Sequence, residues 1–273
     1  MNVHNDVESL KGALYGEAAK YWRWSLWVNG LTVLFFLAGA ITEWGFIIWI
    51  SGLLAFISPG IVVFCRELYL SHFRQADKLR RLVHYADSLG EKIACTDMAC
   101  ISTFKLNIKY VAPSHLEPYY FSKASPGKER LLENSREAAF FTFSLSNVMK
   151  WYFLIAVIII STVACVILYL AASGTIPPNK FQVFAKSATI LVSFIFAGDI
   201  FVIFMRYMAV SKEAKDAYKC FTQMLLRSSS TQAEAMQSFE DYNISLILGP
   251  PILLGVYLKY KDTLNERYRK LHG

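Results

Sequence analysis

Within the most apolar parts of this chain, a few side chains carry polar chemistry. Asp199 lies in Ala197-Gly198-Asp199-Ile200, six residues before the end of an otherwise uncharged stretch, Ser187–Met205. A carboxylate at mid-span costs about 2.5–3.5 kcal/mol on insertion scales and less near an end, so it is expected to face other helices or water. Facing water, it would favour cations as a pore-lining or gating group. Facing protein, it would anchor packing through Asn29, Ser51 or Ser58. Asn29, Thr189 and Ser193 are further polar groups in apolar surroundings. Ser58-Pro59-Gly60 predicts a kink, because proline removes a helix hydrogen bond. Asn29, Ser58, Pro59, Thr189 and Ser193 therefore join Asp199 as pore or gating candidates, although small and hydroxyl residues also serve plain helix packing.

The spacings that catalysis needs are missing. There is no Gly-rich phosphate loop, no GxSxG elbow, no HExxH pair and no persuasive pair of acids. His4, His72, His84, His115 and His272 are scattered. Cys95 and Cys100, taken with His84 and His115, match no zinc spacing. The five cysteines fall in apolar stretches or in segments expected in the reducing cytoplasm, which argues against disulfides. The expectation is a non-enzyme without metal or cofactor.

The elements that must position these residues are four apolar stretches: Trp24–Thr42, Phe46–Phe64, Trp151–Ala172 and Ser187–Met205. Each has about 19 to 22 residues, which at about 1.5 Å per residue matches a hydrocarbon core of about 30 Å. Apolar residues make up 55% of the chain and charged residues 18%, so a bilayer can take these stretches without many buried charges. The start, Met1–Lys20, reads as polar, and no separate cleaved leader is expected. Trp22, Trp24, Trp27, Trp44, Trp49, Trp151 and Tyr152 mark the span boundaries, where amphipathic rings favour the headgroup level.

Of 28 Lys and Arg, 26 lie before the first span, between the second and third, or after the fourth. Only Lys180 and Lys186 fall in the connection between the third and fourth. Loops rich in Lys and Arg stay inside, so both termini and the centre are predicted cytoplasmic. The outer turns, around Glu43-Trp44-Gly45 and over Ser173–Lys186, are too short to hold a folded outer domain. The net charge of +7 is accounted for by this topology and by anionic headgroups rather than by nucleic acid.

The expected fold is mainly α: a polytopic protein of two transmembrane helical hairpins, with helical cytoplasmic stalks and a small mixed cytoplasmic region. The divisions are a cytoplasmic N-terminal helix (1–23), hairpin 1 (24–65), a stalk and central region (66–150), hairpin 2 (151–206), and a stalk and C-terminal region (207–273). Leu68, His72, Leu79, Leu82, Tyr85 and Leu89 recur at helical spacing after the second span. Val210, Ala214, Ala217, Phe221 and Met224 do so after the fourth. Ile101–Val111 is rich in β-branched and aromatic residues and suggests one or two short strands. Arg130–Met149 reads as a helix entering the third span. Ile244–Leu258 is apolar but short for a span and broken by Gly249-Pro250-Pro251, which favours cytoplasmic packing over a re-entrant or surface-lying segment. Tyr257, Tyr260, Leu264, Tyr268 and Leu271 mark one face of a terminal helix.

Two groups of motifs carry a resemblance. One is Pro118-Tyr119-Tyr120-Phe121-Ser122-Lys123, followed by GKERLLEN from Gly127 and EAAFFT from Glu137. The other is DYNISL from Asp241, then Gly249-Pro250-Pro251-Ile252, Tyr257 and KDTLN from Lys261. With the two-plus-two span layout, the chain resembles membrane effectors of bacterial antiphage defence. The pattern is that of four-transmembrane, pore-forming effectors encoded beside cyclic-oligonucleotide synthases, with retron-associated membrane effectors second. Leu253 stands where that pattern has a proline, and the subfamily stays open.

The resemblance implies a multi-pass protein of the bacterial inner membrane that is silent until a phage-triggered signal. It then oligomerises and permeabilises the bilayer. The implied partners are lipid, further copies of the chain, and a cyclic oligonucleotide or a retron reverse transcriptase–nucleic acid complex as regulator. Arg130, Glu133, Glu137, Asp241, Tyr242, Asn243, Pro250, Pro251, Asp262 and Asn265 are the coupling or sensing candidates. Two other classes remain: a non-conducting scaffold or regulatory subunit that recruits a cytoplasmic partner, and a small transporter.

Overall fold

The computed structural model describes residues 3–42, 44–91, 120–173, 180–197, 199–227, 229–247 and 249–272. Among them the chain is all-helical: α1 (Val3–Thr42), α2 (Gly45–Leu89), α3 (Lys128–Ala172), α4 (Phe181–Ala197), α5 (Ile200–Leu226), α6 (Gln232–Ile247) and α7 (Leu254–His272). The strands expected over Ile101–Val111, along with Cys95, Cys100 and His115, lie outside the described residues.

Four segments are long and apolar enough to cross a membrane: Leu10–Thr42, Gly45–Leu89, Lys128–Leu170 and Phe181–Leu226. Between 6% and 25% of their most apolar windows is buried inside the protein, so most of that surface is free to meet lipid tails. This is the character of a polytopic membrane protein. Trp24, Trp27, Trp44, Trp49 and Trp151 are all exposed.

The chain divides into two compact units. The apolar unit comprises Lys20–Leu68 and Val148–Met208. Here α1 and α2 approach closely where Gly39 lacks a side chain: a Cβ there would meet Ser51 Oγ at 3.1 Å. That hydroxyl lies 2.9 Å from the Phe35 carbonyl and 2.8 Å from that of Ile47. It thus satisfies itself within the helix pair, as a polar group in an apolar setting must. Phe153 and Tyr207 stack with centroids 5.5 Å apart.

The fourth apolar stretch departs from the continuous span expected over Ser187–Met205. It is divided into α4 and α5, with Asp199 between them at φ 60°. That left-handed conformation cannot continue an α-helix and is tolerated by Asp because its short polar side chain can bond locally. The Asp199 amide donates to the Phe196 carbonyl (3.2 Å), and its own carbonyl accepts from Ile203 (2.7 Å), so one residue ends the first helix and starts the second.

The polar unit comprises Met1–Ala19, Tyr69–Asn147 and Ala209–Gly273. Its largest core joins Leu131, Leu132 and Ala139 of α3, Ala214 and Phe221 of α5, and Ala235, Phe239 and Tyr242 of α6. Helix α6 begins with a reciprocal cap: Glu234 N–H donates to Thr231 Oγ1 (3.2 Å), and Thr231 N–H donates to Glu234 Oε2 (2.8 Å). Phe140 and Leu145 of α3 meet Leu264 and Tyr268 of α7, whereas Leu271, expected on the same face, is exposed.

The reading of Met1–Lys20 as merely polar needs correction. Val7 and Leu14 are fully buried against Ala76, Leu79 and Val83 of α2. With Lys11 and Ala18, which are also buried, they form one stripe at helical spacing.

Candidate functional site

In the apolar unit, α1, α2 and α4 line an open cavity of about 350 Å³. Asn29 and Thr32 line it from α1, Ser58 and Pro59 from α2, and Thr189 and Ser193 from α4. Five of the six pore candidates thus converge on one space. Thr32 and Thr189 spend their hydroxyls on the carbonyls four residues back, Val28 (2.8 Å) and Ala185 (2.9 Å). Asn29, Ser58 and Ser193 make no hydrogen bond to the protein among the described residues. Pro59, inside α2, has no N–H to give the Ala55 carbonyl four residues earlier, and Ala55 also lines the cavity. Polar groups in apolar surroundings need partners, so this space suits water or another polar occupant.

Asp199 is not in that cavity. It forms an ion pair with Arg66 of α2, both side chains being 29% exposed. The expected partners Asn29, Ser51 and Ser58 are replaced by a charge, because Arg66, counted with the cytoplasmic flank in the sequence, lies within reach of the helix break. Arg66 Nε and Nη2 are buried without a hydrogen-bond partner, so Asp199 carries most of the compensation for that guanidinium.

In the polar unit, the coupling candidates separate into three groups. Arg130, Glu133 and Glu137 lie on α3. Arg130 holds Asp87 of α2 through Nη2 (2.7 Å) and Nε (3.2 Å), and Asn134 donates to the same carboxylate (2.8 Å). Glu133 accepts from Ser122 Oγ (2.5 Å), and Glu137 accepts the Phe121 N–H (2.9 Å).

Tyr242, Asn243, Pro250 and Pro251 are buried. The Tyr242 hydroxyl pairs with Thr142 (2.7 Å). Asn243 Oδ1 accepts from Arg80 Nη2 (2.6 Å), and that guanidinium also grips Asp77 through Nε (2.9 Å) and Nη2 (2.8 Å). Asp241 and Asp262 are exposed and Asn265 is half-buried on α7, so these three do not join the network.

Sequence reasoning missed Asp77 and Arg80 at the core of this network, and weighed His84 only as a zinc ligand. His84 is fully buried, stacked on Phe239 at 4.0 Å, with Nδ1 2.7 Å from Tyr120 Oη and Nε2 3.0 Å from Ser135 Oγ. Burial, reinforced by the nearby Arg80 charge, holds its pKa well below the ordinary histidine value, so it is a neutral packing group. The signal for Asp77 and Arg80 was an i,i+3 pair on a helix, too common to single out.

Burial pushes the Glu137 carboxyl up from 4.5 to about 7, against the opposing pull of the Phe121 N–H, Arg136 and Arg269. The folded protein therefore binds this proton more tightly than the unfolded chain. The resulting stabilisation is full below the unfolded pKa and is lost as pH rises through about 7. Glu137→Gln keeps an acceptor for Phe121 and removes the titration. Relative to wild type, it should gain ~2 kcal/mol on going from about pH 5 to pH 8 in thermal scans of the detergent-solubilised chain. Parallel pH profiles for the two proteins would refute this.

Among the described residues, no group of three or more His, Cys, Asp or Glu is placed to hold a metal ion. Comparison with protein-family models, with curated proteins and with solved structures gives no match to this chain.

Proposed function

We infer that this chain is an inner-membrane effector of bacterial antiphage defence, which oligomerises and lets ions cross the bilayer when a cytoplasmic signal arrives. In this reading, two helical hairpins cross the membrane with both termini inside. Their arms continue into the cytoplasm as stalks. The defence context comes from the resemblance of the Pro118–Thr142 and Asp241–Asn265 motifs.

The permeation step is supported by one observation above all. Asn29, Ser58 and Ser193 are unpartnered polar side chains around one cavity of the apolar unit, beside a carbonyl that Pro59 leaves without a donor. Such groups are expected to face other helices or water rather than lipid tails, and a water path would use them. A signal opens the path only by binding the open state more tightly than the closed one.

Induced expression in bacteria should collapse the membrane potential, read with a voltage-sensitive dye. The paired change Ser58→Leu and Ser193→Leu should preserve the potential at equal membrane insertion. A normal potential in cells expressing the inserted wild-type chain under phage challenge would sink the permeation reading. The break at Asp199 favours one alternative, a transporter, since broken helices often frame transport sites. Saturable uptake of one solute, in place of general leak, would point there.

A further inference from the structure

Between α6 and α7 the polar unit carries an uncharged elbow. Residues 244–258 include no Asp, Glu, Lys or Arg. Only the centre of this run is covered: Gly249, Pro250 and Pro251 are buried. Leu246, Ile247, Ile252 and Leu253 are half-buried, and Ile244 and Leu258 are 63% and 61% exposed. Single exposed apolar residues need no explanation, but a charge-free run of this length in the polar unit does.

The elbow is the low end of the α6–α7 pair, measured along α5 toward the fourth apolar stretch. Ser238 of α6 meets Met224 of α5 (Oγ to Sδ 3.5 Å), Tyr242 meets Phe221 (centroids 6.1 Å apart), and Gly249 meets Val210. Helix α6 thus runs down α5. Helix α7 runs back up, since its His272 Nε2 lies 2.9 Å from the Tyr218 hydroxyl.

Two contacts fix the height of the elbow. The Tyr69 hydroxyl of α2 donates to the Gly249 carbonyl (3.2 Å), and Val210 of α5 packs on the same glycine. Tyr69 and Val210 each stand five residues past the end of an apolar stretch, at Phe64 and Met205, on unbroken helices. At about 1.5 Å per residue that is about 7.5 Å, and the headgroup layer beside the hydrocarbon is about 5–8 Å thick. Helical side chains lean toward the helix N-terminus, which for both residues is the direction of the apolar stretch. The elbow therefore falls at headgroup level.

Its chemistry fits that level. Tyr257 and Tyr260 are half-buried amphipathic rings, which favour headgroups. The first charges after the run are Lys259 and Lys261, both exposed. Lysine stems lie along apolar surface while their ammonium groups reach out, here to lipid phosphates. The nearest carboxylates along the chain, Asp241 and Asp262, fall outside the run. A second copy of the chain could cover the same side chains, but lipid already meets the largely unburied apolar stretches and is continuous with this level.

We propose that the α6–α7 elbow is a lipid-binding surface: the apolar side chains of residues 244–258 rest at the acyl boundary of the headgroup layer, with Lys259 and Lys261 at lipid phosphates. The assignment goes beyond the permeation reading and does not depend on it, since lipid contact is measured without any leak.

The test is photolabelling of the full chain in vesicles of phosphatidylcholine and phosphatidylglycerol. A phospholipid carrying a diazirine beside its glycerol is the probe, and labelled peptides are mapped by mass spectrometry. Residues 244–258 should take at least about tenfold more label than residues 262–272 of the same α7. Ile244→Glu with Leu258→Glu, both exposed positions, should remove that label by about tenfold at an unchanged melting temperature in detergent, while residues 24–42 stay labelled. The proposal is overturned if residues 244–258 stay unlabelled beside labelled residues 24–42, or if residues 262–272 label equally. It is also overturned if the paired variant labels like wild type, or if a lysine crosslinker joins the elbows of two copies and no lipid label appears there.

Discussion

Asp199→Asn should raise resting ion leak by about tenfold, corresponding to roughly 1.4 kcal/mol taken from the closed state. The substitution isolates the charge. Asparagine accepts the left-handed backbone at φ 60° as readily as aspartate does, so the junction between α4 and α5 is preserved. What is lost is the countercharge to Arg66, whose Nε and Nη2 are already buried without partners. Removing one partner of a fully buried pair costs about 3–5 kcal/mol, and the partial exposure of this pair scales that down. The Arg66 cation left alone should also turn the leak toward anions.

Arg66→Gln should produce a similar leak without the anion preference. In the double variant with Asp199→Asn, the two effects should combine to less than their sum, as for coupled residues. Flux from liposomes at matched protein insertion measures all three. Indistinguishable flux from wild type and Asp199→Asn would reduce the pair to a packing contact.

The largest effect on stability is expected at Asp77. This carboxylate is 3% exposed and holds Arg80 through two hydrogen bonds, while Arg81 Nε lies 3.3 Å away. Asp77→Ala leaves the Arg80 guanidinium with Asn243 as its remaining partner in this network and should destabilise the polar unit by about 3–5 kcal/mol. Faster limited proteolysis and an earlier thermal transition of the detergent-solubilised chain would report it. Asp77→Ala combined with Arg80→Leu should cost less than Asp77→Ala alone, because the Arg80 charge is no longer stranded. If the double variant is the less stable, stranding of Arg80 is not the cause.

The spans were legible because length and hydrophobicity are properties of a segment by itself. The junction at Asp199 was not: a Gly-Asp pair inside an apolar run reads as one polar interruption of a continuous helix. Its ion pair with Arg66 links residues 133 positions apart, a relation that no local pattern encodes. Apart from Thr32, the polar residues of the cavity could each be named from the sequence. Their meeting depends on how α1, α2 and α4 rotate about their own axes, which single-chain periodicity leaves open when most of each helix is apolar. At the other end, Val7 and Leu14 were hidden by sparse spacing among polar residues, although their burial is complete.

The loop after α6 has a mechanical consequence. Tyr69 of α2 donates its hydroxyl to the Gly249 carbonyl (3.2 Å), and a Cβ on Gly249 would collide with Val210 of α5 at 2.9 Å. Buried Pro250 and Pro251 stiffen the backbone just beyond. One short rigid hasp therefore fastens both α2 and α5, and neither can slide along its axis without dragging or unhooking the other.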